Sequence, residues 1–139
     1  MKSERIWLLA LATALLPIFS VHLTYLVSAL EGHLPWCNPY WDSCTSISAT
    51  GRYGSAFYLF KGLMIPAAIL LTLFWWQQKN WLISLGDQVK PARILAILGI
   101  IAAIFLVVYT VALGAAGDMM RLQRRIGIIF YFTFTYLSQ

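Results

Sequence analysis

The sequence predicts an all-α integral membrane protein, a bundle of three full transmembrane helices plus a fourth short or partial helix, folded as one domain over residues 1–139. Two observations carry this. Hydrophobic residues make up 60% of the chain and charged residues only 11%, against roughly 45–50% and about 25% in an ordinary soluble domain. A soluble fold of this size has too little interior to hide that much apolar surface. The apolar residues also fall in long blocks, not in the short alternating segments of a transmembrane β-barrel.

The first block, 6–30, is flanked by Lys2, Glu4 and Arg5 on one side and Glu31 on the other. It exceeds the roughly 20 residues needed to cross a hydrocarbon core of about 30 Å. It is also too long for a signal-peptide apolar region of roughly 7–15 residues and has no small-x-small cleavage site, so it reads as a retained helix. Pro17 removes a backbone donor inside it and can kink it. His22 is expected to be buried and hydrogen-bonded, because an unpaired polar group in lipid is costly. A bis-histidine haem site needs a second histidine at membrane depth, and the sequence offers none.

Residues 31–55 are rich in Gly, Pro, Asn, Asp, Ser and Thr, interleaved with Trp36, Tyr40, Trp41 and Tyr53, and read as an ordered loop at the membrane interface. The second span, 56–76, is broken only by Lys61, which can snorkel toward that loop. It closes on Trp75 and Trp76, the residue type expected where a helix leaves the bilayer. A polar connection follows over 77–93, with Lys79, Asp87, Lys90, Pro91 and Arg93; Trp81, Leu82, Ile83 and Leu85 suggest that part of it lies along the surface. The third span, 94–116, carries Gly99, Ala102, Ala103 and Gly114–Gly117, small residues that permit close helix approach. After 118–125, the final apolar run over 126–138 has only about 12 residues, short of a crossing. It is either a half-span or interfacial helix, or the chain is the first part of a longer protein.

The ten Lys and Arg residues behind the net charge of +5 sit at the ends of apolar blocks and build no basic face, which argues against nucleic acid and for headgroup anchoring. Their distribution leaves the positive-inside rule tied. Cysteine usage breaks the tie: Cys37 and Cys44 are the only two, both in the first loop, and a disulfide between them needs an oxidising compartment. Residues 31–55 are therefore placed outside and the N-terminus in the cytoplasm, in a plasma membrane or bacterial inner membrane. Such a bond holds Tyr40 and Trp41 at a fixed height. Cys37, Cys44, His33 and Asp42 match no zinc spacing, and neither a metal nor a cofactor is expected.

Two polar clusters are candidate sites. Ser46-Ile47-Ser48-Ala49-Thr50-Gly51-Arg52-Tyr53-Gly54 precedes the second span, combining hydroxyls and exposed amides that can bind an anion with an arginine that can pair with a lipid phosphate. Its plain structural alternative is a helix cap and tight turn. Asp118, Arg121, Arg124 and Arg125 form the second cluster, on the same side as the first loop if three helices cross, and read as a phosphate-facing anchor. A catalytic site would need His33 as base for Ser46 or Ser48. Cys-x-x-Cys pairs, glycine-rich phosphate loops and intramembrane carboxylates are absent from the sequence, which weakens redox and transport chemistry.

Ser46-Ile47-Ser48-Ala49-Thr50-Gly51, then Phe57-Tyr58-Leu59-Phe60-Lys61 and Ile65-Pro66-Ala67, together resemble the Frag/DRAM/Sfk group of multispan membrane proteins. There, a related serine-x-x-glycine segment lies in the first external loop. The likeness is best over residues 37–71, extends loosely through the third span and leaves the family's last helices without counterparts; Thr45 stands where the family often has proline. It implies membrane-lipid handling and carries over Ser48, Thr50, Gly51 and Arg52 as motif positions.

Three readings result. The first is a lipid-associated factor whose disulfide-braced loop contacts headgroups through Ser46, Ser48, Thr50, Gly51, Arg52 and Lys61. The second is an accessory or structural subunit that docks on protein partners through its third helix and final apolar run. The third is an intramembrane lipid hydrolase or transferase using His33 and a loop serine.

Overall fold

A computed structural model describes residues 3–86 and 88–139, with side chains from Ile6 onward. Lys2 and Asp87 lie outside the described residues, as do the side chains of Glu4 and Arg5. Five helices follow one another: α1 Ser3–Leu30, α2 Ile47–Thr50, α3 Gly54–Ser84, α4 Val89–Ala112 and α5 Asp118–Leu137. Among the described residues none is in a strand. Three of the helices, α1, α3 and α4, are long and apolar enough to cross a membrane, as expected for an all-α membrane protein.

Several boundaries differ from expectation: α4 begins at Val89 and ends at Ala112 where a span over 94–116 is expected, and the first loop contains the short helix α2. Residues 77–84, expected as a surface connection, continue α3 without a break. Gln77, Gln78, Lys79 and Leu82 are good helix formers, and nothing stops the helix until Gly86 turns the chain at a φ of 91°. The 31 residues of α3 therefore extend about 46 Å, well beyond a hydrocarbon core of about 30 Å. Likewise, Asp118–Arg125 belongs to α5, which starts at Asp118 and is 20 residues long. A carboxylate in the first turn is favourable beside the free N–H groups of a helix start.

The helices pack in chain order, α1 on α3, α3 on α4 and α4 on α5. Phe60, Met64, Trp75, Leu106, Tyr109 and Leu113 form the centre of the core. Trp75, expected at the interface, is buried there because Gly99 of α4 lies directly against its indole; a β-carbon at Gly99 would overlap the ring. Only Trp76 remains exposed, with the Lys79 ammonium 3.8 Å above its ring. Gly127 of α5 similarly rides on α4: a β-carbon there would lie 2.8 Å from the backbone nitrogen of Tyr109. Phe105, Phe130 and Phe134 stack beside it with centroids 4.9–5.8 Å apart. Gly99, Ala102 and Ala103, small residues expected to permit close helix approach, are buried within the bundle, while Gly114, Ala116 and Gly117 stay exposed.

α1 is held differently. Most of its apolar stretch is uncovered, with Leu11, Leu15, Ile18 and Phe19 all exposed. Its buried stripe is Ser20, Thr24 and Ser28, four residues apart and each fully buried, a small-x-x-x-small face that allows close approach.

Candidate functional site

One end of the bundle gathers the C-termini of α1 and α4, the N-termini of α3 and α5, and the first loop. Small hydroxyls lock the loop to α1. Thr24 Oγ1 donates to Thr50 Oγ1 at 3.1 Å, and Ser28 Oγ donates to the Thr50 carbonyl at 2.7 Å. Gly51 follows, so close to Phe60 that a β-carbon would meet the ring at 2.5 Å. Thr50 and Gly51 are therefore buried seats for α2. Glu31 supplies a device the sequence reading missed: its carboxylate accepts from the Ser55 backbone N–H at 3.2 Å and from the Ser55 hydroxyl. It thereby satisfies a free donor in the first turn of α3. The signal was a lone carboxylate in a loop that returns to a helix start, with the distance bridged only by folding.

Cys37 and Cys44 form the expected disulfide. Within it, Asn38 Oδ1 accepts from the Tyr40 N–H at 3.1 Å and Asp42 Oδ2 accepts from the Asn38 N–H at 2.9 Å, a compact Asx-turn arrangement. The loop is tied to α1 through Tyr25, whose hydroxyl donates to the Cys37 carbonyl at 2.6 Å and accepts from the Cys37 N–H at 2.9 Å. His22 is hydrogen-bonded as expected, to the Ile18 carbonyl at 2.7 Å and the Tyr40 hydroxyl at 3.0 Å. It is exposed, however, not buried, because its partner is in the loop and not in the bundle core. The Ile18 carbonyl can only accept, so Nδ1 carries a proton and donates to it.

His33 lies 3.6 Å from the Glu31 carboxylate and against the Tyr53 ring. No hydrogen bond joins it to Ser46 or Ser48 among the described residues. Ser46 and Ser48 instead share a hydrogen bond with each other at 3.3 Å. The base and nucleophile that a hydrolase reading needs are not brought together.

What the fold does bring together are the two polar clusters. Ser46, Ser48 and Arg52 from the loop, with Arg121, Arg124 and Arg125 from the first two turns of α5, line one cavity of about 570 Å³. Ile47, Tyr109, Ile128 and Phe132 complete its wall, and among the described residues no carboxylate lines it. Arg52 is fixed in place by donating from Nε to the Ser48 carbonyl at 2.9 Å and from Nη2 to Ser48 Oγ at 3.1 Å. Three of the five guanidinium N–H donors remain available. Arg124 donates to the Ala115 carbonyl at 3.2 Å, while Arg125 has no hydrogen bond or ion pair among the described residues. Asp118 stands outside, 3.5 Å from Arg121, with both side chains largely exposed. Solvent and salt leave such a pair weak, so it neutralises little of the site's charge.

No protein-family model, curated protein or solved structure matches this chain. Its chemistry therefore rests on the residues themselves. Four guanidinium groups around one concavity are a planar, multidentate donor set suited to phosphate oxygens.

Two expected contributors lie elsewhere. Lys61 donates to the Val111 carbonyl at 3.2 Å and sits 4.1 Å over the Phe57 ring, tying α3 to the end of α4. The disulfide segment lines a neighbouring cavity of about 690 Å³ with His22, Tyr25 and Tyr40, and Ser46 and Ile47 form the wall common to both. The braced loop thus stands beside the arginines and does not cover them.

Proposed function

We propose that this chain is a multispan membrane factor that holds the phosphate of an anionic lipid headgroup at the loop end of its bundle. The observation that carries the reading is the convergence of Arg52, Arg121, Arg124 and Arg125 on one cavity without a lining carboxylate. Cations grouped around one concavity repel one another, and an anion bound among them removes that repulsion while using their free donors. The cavity lies at one end of a bundle with three helices able to cross a membrane, which makes membrane phospholipid the most abundant phosphate source within reach. The resemblance of residues 46–51, 57–61 and 65–67 to the Frag/DRAM/Sfk group points to the same class of ligand.

Native mass spectrometry of the full chain, released from nanodiscs holding phosphatidylglycerol and phosphatidylcholine in equal amounts, tests it. Retention of phosphatidylglycerol over phosphatidylcholine is expected, and the Arg124→Ala, Arg125→Ala double variant should lose that preference. Equal retention of both lipids by the unaltered chain would remove the proposal.

The same spectrum bears on a second reading, a subunit of a membrane assembly. The uncovered apolar face of α1 favours it, and a stoichiometric protein partner in the spectrum would establish it.

A further inference from the structure

Beneath the arginine cavity lies a second concavity of about 360 Å³, cut between α1 and α5 and floored by α3 and α4. It shares Ile47, Tyr109, Ile128 and Phe132 with the arginine cavity, so the two are neighbours along one trough. Both flanking helices descend from the loop end. On α1 the trough runs from Val21 to Thr13, and on α5 from Ile128 to Phe132. At 1.5 Å per residue, the α1 wall is about 12 Å long.

The lining is mainly apolar along this length, its polar groups being Thr13, His22 and the hydroxyls of Tyr40, Tyr109 and Tyr131. Thr13 Oγ1 donates to the Leu9 carbonyl at 2.7 Å, and His22 and Tyr40 bond each other at the mouth. The trough also has a lateral exit, because α1 packs on α3 and α5 on α4, with no comparable interface between α1 and α5.

We infer that this cleft holds one acyl chain of the same phospholipid whose phosphate sits among the arginines, the lipid entering sideways between α1 and α5. The inference rests on the headgroup reading above and adds the chain path. Charge at the top, an apolar trough continuous with it and an opening toward the bilayer are the three features of a single amphipathic ligand. A soluble phosphate needs only the first.

The test uses the full chain in phosphatidylcholine nanodiscs doped with a phosphatidylglycerol carrying a photoreactive diazirine midway along one acyl chain. Crosslinks are expected on the cleft side of α1, at Thr13, Pro17 and Val21, and on Tyr131 and Phe132. They should fall at least about tenfold in Ala14→Trp, whose indole fills the cleft from an exposed position, a loss equivalent to about 1.4 kcal/mol. Binding of the water-soluble headgroup fragment glycerophosphoglycerol, measured in parallel by calorimetry, should be unaltered in Ala14→Trp and lost in Arg125→Ala. Crosslinks spread over Leu11, Leu15 and Phe19, and indifferent to Ala14→Trp, would overturn the chain path while leaving the headgroup site standing. Fragment binding that survives Arg125→Ala would overturn the headgroup reading and the chain path with it.

Discussion

The two flanks of the bundle are built on opposite principles. On one, α5 lies against α4 through glycine and stacked aromatics: Gly127 lets the backbones close up beside Tyr109, and three phenylalanine rings fill the space around it. On the other, α1 packs on α3 and buries a narrow polar stripe, Ser20, Thr24 and Ser28, with hydrogen bonds from it to Thr50. Below that stripe its apolar side chains are left uncovered. Between lipid-facing helices there is no hydrophobic gain from association, so packing and hydrogen bonding decide which surfaces meet. The difference explains why α5 carries its arginines into a fixed position while α1 leaves a cleft at its side.

The largest effect is expected where that contrast is sharpest. Gly127→Leu puts a side chain against backbone that cannot move aside, an overpacking cost of about 3 kcal/mol. It should lower the thermal midpoint in detergent and abolish phosphatidylglycerol retention together, since Arg124 and Arg125 ride on the same helix. Retained lipid preference at an unchanged midpoint would break the link between α5 packing and the site.

A middle-sized effect belongs to α1's side. Removing the crosslink between Cys37 and Cys44, seven positions apart, by a double substitution to serine frees a short loop and costs about 2.5 kcal/mol in the chain-entropy account. The expected outcome is a lower midpoint with lipid preference intact, because the disulfide segment lines the neighbouring cavity. Loss of preference would mean that the two cavities act as one.

The smallest is Thr24→Val. It deletes the donor to Thr50, worth about 1 kcal/mol between membrane helices, and should accelerate hydrogen exchange in α2 while leaving α5 protected. Equal acceleration in both helices would show that the flanks are not independent.

Much of this was legible in the residues. The three spans follow from block length and hydropathy, and the disulfide from two cysteines confined to one loop. Arg52 and the cluster Arg121, Arg124 and Arg125 stood out as polar groups against apolar sequence. Less legible was the fate of residues 77–84, where helix propensity was hidden by polarity. The burial of Trp75 is not legible in the pair Trp75-Trp76, which reads as an interface belt; only Gly99 on another helix reveals the slot that takes one of the two rings. The stripe Ser20, Thr24 and Ser28 was readable by spacing but passes unnoticed among stronger apolar signals.

The sequence by itself determined that this chain belongs in a membrane, how many helices can cross it and which polar residues flank them, because those depend on composition and on lengths measured against a bilayer. Tertiary structure alone decided that Ser46, Ser48 and Arg52 share a cavity with three arginines some 70 residues away in a fold whose packing follows chain order. It likewise decided that Thr50 and Gly51 are buried and that Lys61 bonds to the end of α4. The reason is physical: which side of a helix faces which neighbour depends on the fit of side chains between helices, and that fit is a property of pairs distant in sequence.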